Sequence, residues 1–346
     1  MSRRIAIVLF NLGGPDNPDA VRPFLFNLFA DPAIIRLPAP IRLPMAWAIA
    51  KKRTNQAKDI YAEIGGGSPL LPNTEAQARA IEAALADQGT VRAFIAMRYW
   101  HPMSQEAAMQ VKDFAPDEVV LLPLYPQFST TTTASSLRVW RDACRIAGLD
   151  VPTRMVCCYP TEAGFIGTMA AGLRAAHAEA SAHGRPRVLF SAHGLPEKIV
   201  RAGDPYQWQC ERTAEALAEA SGIPDLDWVS TYQSRVGRLK WIEPATETVI
   251  HEAAEAKRPI VVVPIAFVSE HSETLVELDI EYRRLADEAG CPCYLRVPTV
   301  GADQAYVDGL AQLVRAARRG EAFCAPAGGV GRLCPAAHGG CPSRAA

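Results

Sequence analysis

Eight short apolar runs, each set off by stretches of helical periodicity, constrain this chain more than any other feature. The runs are 4–10, 91–97, 117–123, 151–158, 187–191, 228–232, 259–266 and 293–297. Helical stretches lie near 19–30, 73–88, 104–114, 133–147, 161–183, 206–221, 243–256, 271–289 and 302–319. Few polar residues interrupt the runs, and strands of that kind are buried on both faces, as in parallel sheets covered by helices. Four runs precede residue 160 and four follow it. The pattern predicts an α/β protein of two similar Rossmann-like lobes, each a parallel four-stranded sheet flanked by helices. The boundaries expected are 1–159, 160–320 and a tail at 321–346, and 346 residues suit two domains of about 150. The helix near 302–319 is free to pack back on either lobe.

Charge and composition exclude several classes. A formal net charge of -1 supplies no field to gather phosphate backbones, which argues against nucleic acid as a partner. No apolar run reaches the roughly 18 residues that a spanning helix needs. The opening Met1-Ser2-Arg3-Arg4 leads straight into the first strand, without the apolar stretch and cleavage site of a signal peptide, so a cytoplasmic location is expected. Nine cysteines are an odd number, and a reducing compartment disfavours a disulfide framework. Cys324, Cys334 and Cys341 all stand in the Gly/Pro/Ala-rich tail, where a metal or cluster site is the competing idea.

Residues 34–53 break the rhythm. Pro38, Pro40 and Pro44 argue against a continuous helix before Pro44, after which a short helix to Arg53 is expected. The segment is more apolar than a surface connection requires. It reads either as a loop packed on its own lobe or as an apolar lip for a greasy ligand or a membrane surface, with Lys51, Lys52 and Arg53 toward headgroups.

Two strand ends carry the chemistry. Ser191-Ala192-His193-Gly194-Leu195-Pro196 follows Val188-Leu189-Phe190, and Ser269-Glu270-His271-Ser272-Glu273 follows the run from Val261 to Phe267. Ligands of open α/β sheets bind beyond the carboxyl ends of strands. An imidazole placed there can ligate a borderline metal or take a proton near pH 7. Glu270, Glu273, Glu277 and Glu281, with Asp279, form an acidic row without an interleaved lysine. It is either the solvated side of an amphipathic helix or a path for cations and protons. Asn11-Leu12-Gly13-Gly14-Pro15 and Gly65-Gly66-Gly67-Ser68-Pro69 match neither a Walker A loop nor GxGxxG, so nucleotide binding is unsupported. The hydroxyl run after Tyr125-Pro126-Gln127-Phe128 reads as a helix cap or a polar cleft lining.

These segments, joined by Met97-Arg98-Tyr99-Trp100-His101-Pro102, Gly203-Asp204-Pro205-Tyr206, Gln233-Ser234-Arg235-Val236-Gly237 and Pro264-Ile265-Ala266-Phe267, occur in an order that resembles the ferrochelatases over about 5–320. The resemblance implies a class II chelatase-like fold and a lyase that inserts Fe²⁺ into protoporphyrin IX, the last step of heme biosynthesis. It implies that His193 and Glu273 are catalytic and contact the iron. His271, Glu277 and Glu281 would line a proton or iron path, and Arg98, Tyr99, Tyr61 and Leu12 would lie against the porphyrin. A site that bends the macrocycle exposes nitrogen lone pairs to the metal. Peripheral membrane contact through the lip at 34–53 and an animal-like homodimer are compatible with it.

Some members hold a [2Fe-2S] cluster on three C-terminal cysteines and one from the body. Cys324, Cys334 and Cys341 supply the three here, though their spacing is looser than in animal members. Those members place the fourth in the Tyr-Pro-Gln-Phe-Ser segment, which has no cysteine in this chain, so Cys158 or its neighbour Cys157 is expected instead. Rival readings are a coproporphyrin or other-metal chelatase and a non-catalytic tetrapyrrole carrier, which would need neither His193 nor Glu273. A periplasmic-type binding protein is disfavoured by the missing signal peptide.

Overall fold

The computed structural model describes residues 3–235, 237, 239–320 and 332–342. The chain divides into two compact units. The first takes the chain up to Tyr125, then Ser129–Cys157 and the stretch from Ala311. Its strands are β1 (Arg4–Asn11), β2 (Thr90–Met97), β3 (Glu118–Pro123) and β4 (Thr153–Met155), all parallel, in the order β2-β1-β3-β4. Helices α1 (Val21–Ala30), α2 (Ala39–Ala62), α3 (Leu70–Ala84), α4 (Ser104–Phe114) and α5 (Thr133–Ala147) complete it. From Ile5 to Asn11 every residue of β1 is buried, as a central strand covered on both faces requires.

The second unit takes Pro126–Phe128, Cys158–Leu310 and the described tail residues. Its strands β5 (Arg187–His193), β6 (Trp228–Gln233), β7 (Ile260–Pro264) and β8 (Tyr294–Arg296) are parallel in the order β6-β5-β7-β8. Helices α6 (Ala163–Ser181), α7 (Glu197–Arg201), α8 (Tyr206–Ser221), α9 (Thr246–Glu255) and α10 (Tyr282–Glu288) accompany them, and α11 (Gln304–Arg318) starts in this unit and ends in the first. Ahead of α10, Glu273–Glu281 form a π-helix. Both sheets follow one plan: the chain moves to one side of the first strand, then returns to its other side. The switch point therefore lies between β1 and β3 in one unit and between β5 and β7 in the other.

The predicted α/β class and two four-stranded parallel sheets are observed. Two local expectations need correction. The edge strands β4 and β8 are three residues each, shorter than the apolar runs at 151–158 and 293–297. The lip is not interrupted up to Pro44: α2 starts at Ala39, with Pro44 inside, and continues to Ala62. Pro40 sits in the first turn, where a missing N–H costs nothing. Pro44 removes one intrahelical bond, and Pro40, whose carbonyl loses that donor, is exposed.

Candidate active site

His193 closes β5, and Gly194 after it is dictated by space. A Cβ there would stand 2.8 Å from the Gln233 carbonyl oxygen. In the sheet His193 lies opposite Gln233, the last residue of β6. Its Nδ1 is 2.9 Å from Glu273 Oε2, on the first residue of the π-helix that follows β7. Histidine and glutamate thus meet across the switch point of this sheet. His271 Nε2 lies 4.0 Å from the same carboxylate oxygen. Its Nδ1 is 3.1 Å from the Ser269 carbonyl, which can only accept, so that nitrogen carries the proton and Nε2 keeps its lone pair.

Electrostatics divide these groups. Burial disfavours charge on His193, but Glu273 beside it and Glu277 beyond it prevail, so its pKa lies above the ordinary 6.5. Burial pushes Glu273 up, yet the charge and hydrogen bond of His193, with His271, bring it down to about 2. His271 is lowered by burial despite the nearby Glu273 and Glu270, which keeps it neutral. Glu277 is raised by burial and by the charge of Glu273, against hydrogen bonds from Ser234 and Gln233. Two neighbouring carboxylates pushed in opposite directions are the arrangement that assigns one to anionic work and the other to proton holding.

A polar frame holds Glu277. Ser191 Oγ donates to Gln233 Oε1 at 2.9 Å, which fixes the amide so that its nitrogen faces Glu277 Oε2 at 2.9 Å and the Glu273 carbonyl at 3.2 Å. Ser234, at φ +58°, adds its N–H at 2.8 Å and its hydroxyl at 2.5 Å, and Tyr282 donates at 3.1 Å. The acidic row is not left unneutralised. Arg296 of β8 pairs with Glu270 at 2.6 Å and with Asp279 at 2.5 Å, because the chain folds back on itself there. Glu273 and Glu277 turn toward β5 and β6, while Glu281 stays exposed.

A family model described as Ferrochelatase matches residues 4–318. The ferrochelatase of Caulobacter vibrioides (strain NA1000 / CB15N) is 56% identical over 318 residues, 91% of this chain and 90% of that one. The ferrochelatase of Phenylobacterium zucineum (strain HLK1) is 52% identical over 347 residues, covering 99% and 98%. The chain belongs to the ferrochelatase family. Among solved structures, the sirohydrochlorin chelatase SirB from Bacillus subtilis subspecies spizizenii, in complex with cobalt, shares the fold. Its TM-score is 0.52 at 9% identity, with 92% of this chain and 96% of that one covered. SirB from Bacillus subtilis with Fe³⁺ gives 0.51 at 12% identity, covering 93% and 99%.

The residues expected at the porphyrin lie in the first unit. Leu12, Tyr61 and Tyr99 gather in one apolar cluster with Val21, Phe24 and Leu25. Arg98 and Tyr99 bind Asp31, which sequence reasoning missed. Asp31 accepts from Arg98 at 2.7 Å, Arg138 at 2.8 Å, Tyr99 at 2.9 Å and Ser135 at 2.5 Å. Asp31-Pro32 after an apolar helix reads like any helix-ending turn, so no signal marked it. At the lip, Ile41, Leu43 and Trp47 are exposed at 57%, 42% and 51%. Arg22 and Lys51 lie over the Trp47 ring at 5.4 and 5.3 Å.

In the second unit the structure brings Cys158, Cys334 and Cys341 into a buried group. Gln209 Nε2 is 3.4 Å from Cys158 Sγ and 3.1 Å from Cys334 Sγ. The Cys334 thiol is held well above its ordinary pKa by the Cys341 thiol hydrogen-bonded to it and by burial. Cys324 lies outside the described residues. The tail is seated on the corner before α8: Gly340 N–H donates to Gly203 O at 3.0 Å, and His338 packs on Trp208 at 5.9 Å. Gly203 has φ +95°, and a Cβ there would meet Gly339 N at 2.9 Å, so only glycine lets the tail approach. Among the described residues no three His, Cys, Asp or Glu side chains close around one metal ion. A two-iron cluster asks for only two thiolates per iron. A set of buried thiols drawn from distant positions suits such a cluster.

Proposed function

We propose that the chain inserts Fe²⁺ into protoporphyrin IX to give protoheme, with His193 as the base and Glu273 as its partner. Membership of the ferrochelatase family supports the reaction, that of a porphyrin metal chelatase and lyase closing heme biosynthesis. The observation that carries the residue roles is the 2.9 Å contact between His193 Nδ1 and Glu273 at a sheet switch point. With Nδ1 occupied by Glu273, His193 presents Nε2 outward, and its side chain is 40% exposed. Neutral His193 takes a proton from a pyrrole nitrogen, and ionised Glu273 stabilises the imidazolium that results. The same carboxylate and the lone pair on His271 Nε2 offer the oxygen and nitrogen donors that ferrous iron accepts, with His193 Nε2 as a further contact before protonation. Glu277, which holds a proton more readily, and exposed Glu281 extend a path from Glu273 toward water.

Leu12, Tyr61 and Tyr99 are the apolar contacts assigned to the macrocycle, with Arg98 as the cation near its edge. The exposed Ile41, Leu43 and Trp47, flanked by Lys51, form a peripheral contact for a membrane carrying the greasy substrate. Cys158, Cys334 and Cys341, with Cys324, would hold the [2Fe-2S] cluster, which when bound supplies one-electron chemistry and ties the tail to the body.

The test is anaerobic turnover, read as Fe²⁺-dependent loss of protoporphyrin fluorescence in detergent, for the unaltered protein, His193→Ala and Glu273→Gln. Turnover lost in both variants with porphyrin binding kept supports the roles. Porphyrin binding without turnover in all three would instead make the chain a carrier.

A further inference from the structure

Gln209 is fully buried on α8 and takes no part in the chemistry at His193. Its amide orientation is not arbitrary. The Phe128 backbone N–H lies 2.7 Å from Oε1 and can only donate, so that atom is the oxygen and the other is the nitrogen. The nitrogen then faces Cys158 Sγ and Cys334 Sγ at 3.4 and 3.1 Å. A neutral thiol is a weak acceptor, and burying a primary amide against two of them recovers little of its lost hydration. A thiolate bound to iron is a far better acceptor. The two N–H groups are therefore matched to anionic sulfur.

We propose that Gln209 is a positioning residue of the cluster site, donating to the sulfurs of Cys158 and Cys334 and raising the cluster's reduction potential. This rests on the cluster reading given above. Hydrogen bonds to ligand sulfurs stabilise the more negative, reduced state, which moves the potential upward. One side chain thereby links residue 158 of the body to residue 334 of the tail. A glutamine serving only the core would affect unfolding and leave the potential alone.

The experiment uses the full chain purified anaerobically, with Gln209→Leu and Gln209→Glu. Leucine removes both donors. Glutamate keeps an oxygen for the Phe128 N–H and puts a negative charge where the donors were. Iron and acid-labile sulfide per chain, the visible spectrum and the midpoint potential from a redox titration followed by paramagnetic resonance are compared. The expected result is a cluster in the unaltered protein and a midpoint shifted to more negative values in both variants, further in Gln209→Glu. Should Gln209→Leu not fold, the glutamate variant decides. Loss of the cluster from a folded Gln209→Glu also supports the proposal. A cluster in all three proteins at one potential overturns the role of Gln209 and leaves the cluster standing. Absence of iron and sulfide from the unaltered protein overturns both.

Discussion

Asp31 and Glu273 are both carboxylates drawn inside a unit built on one sheet plan, yet their surroundings make them opposites. Asp31 is met by two arginines, a serine and a tyrosine, and its two oxygens are fully used. Burial raises its pKa, but Arg98 and the hydrogen bonds lower it further, and no partner changes charge near neutral pH. Glu273 has histidines where Asp31 has arginines. His193 can gain or lose a proton where arginine cannot, its pKa is raised by Glu273 and Glu277, and it is reachable from solvent. Saturation with permanent cations makes a carboxylate structural, whereas pairing with a titratable partner leaves it chemically open.

Predictions that break or sharpen this contrast run from the largest effect down. Replacing His193 by Ala, or Glu273 by Gln, lowers turnover about 100- to 10,000-fold and costs less stability than a change at Asp31, measured by anaerobic kinetics and urea titration. Asp31→Ala acts first on stability: it strands Arg98 beside Ser135 and costs about 3–5 kcal/mol, with turnover changing less than at His193. A stability loss at Glu273 equal to that at Asp31 would erase the distinction.

The pH dependence follows. Since His193 must be neutral to accept a proton, kcat/KM rises with pH through a value above 6.5, and Glu273→Gln moves that limb to lower pH. The His193–Glu273 pair contributes to stability chiefly between two limits. It weakens as pH falls from the ordinary glutamate value of 4.5 toward about 2, and as pH rises through the raised His193 pKa. A flat stability profile across both limits would count against the pair. The smallest effect is at the lip. Trp47→Ala with Lys51→Gln weakens sedimentation with anionic vesicles by a few fold, since each basic residue contributes about 1 kcal/mol there, and leaves detergent turnover unchanged.

Much of the fold was legible because buried parallel strands announce themselves as unbroken apolar runs. The end of β5 at His193 was readable for that reason, and so was the neighbourhood of Glu273 after β7. The π-helix was not. Its residues carry ordinary helical spacing, and what sets it apart from an α-helix is the i→i+5 backbone bonding, which side-chain periodicity does not reveal. Arg296 was equally hidden, since its claim on Glu270 and Asp279 depends on a strand formed later in the chain. The helix through Pro44 was misread because the rule against interior proline weighs an exposed first turn too heavily.

What the sequence determined by itself is the layer architecture, the two lobes and the strand ends that carry His193 and precede Glu273, because these follow from local periodicity and burial. Tertiary structure alone decided which carboxylate pairs with which cation, that Gln209 faces two sulfurs, and that Asp31 anchors Arg98. Those pairings span tens to hundreds of residues, and a charge or a lone pair is assigned only when the whole fold has placed its partner.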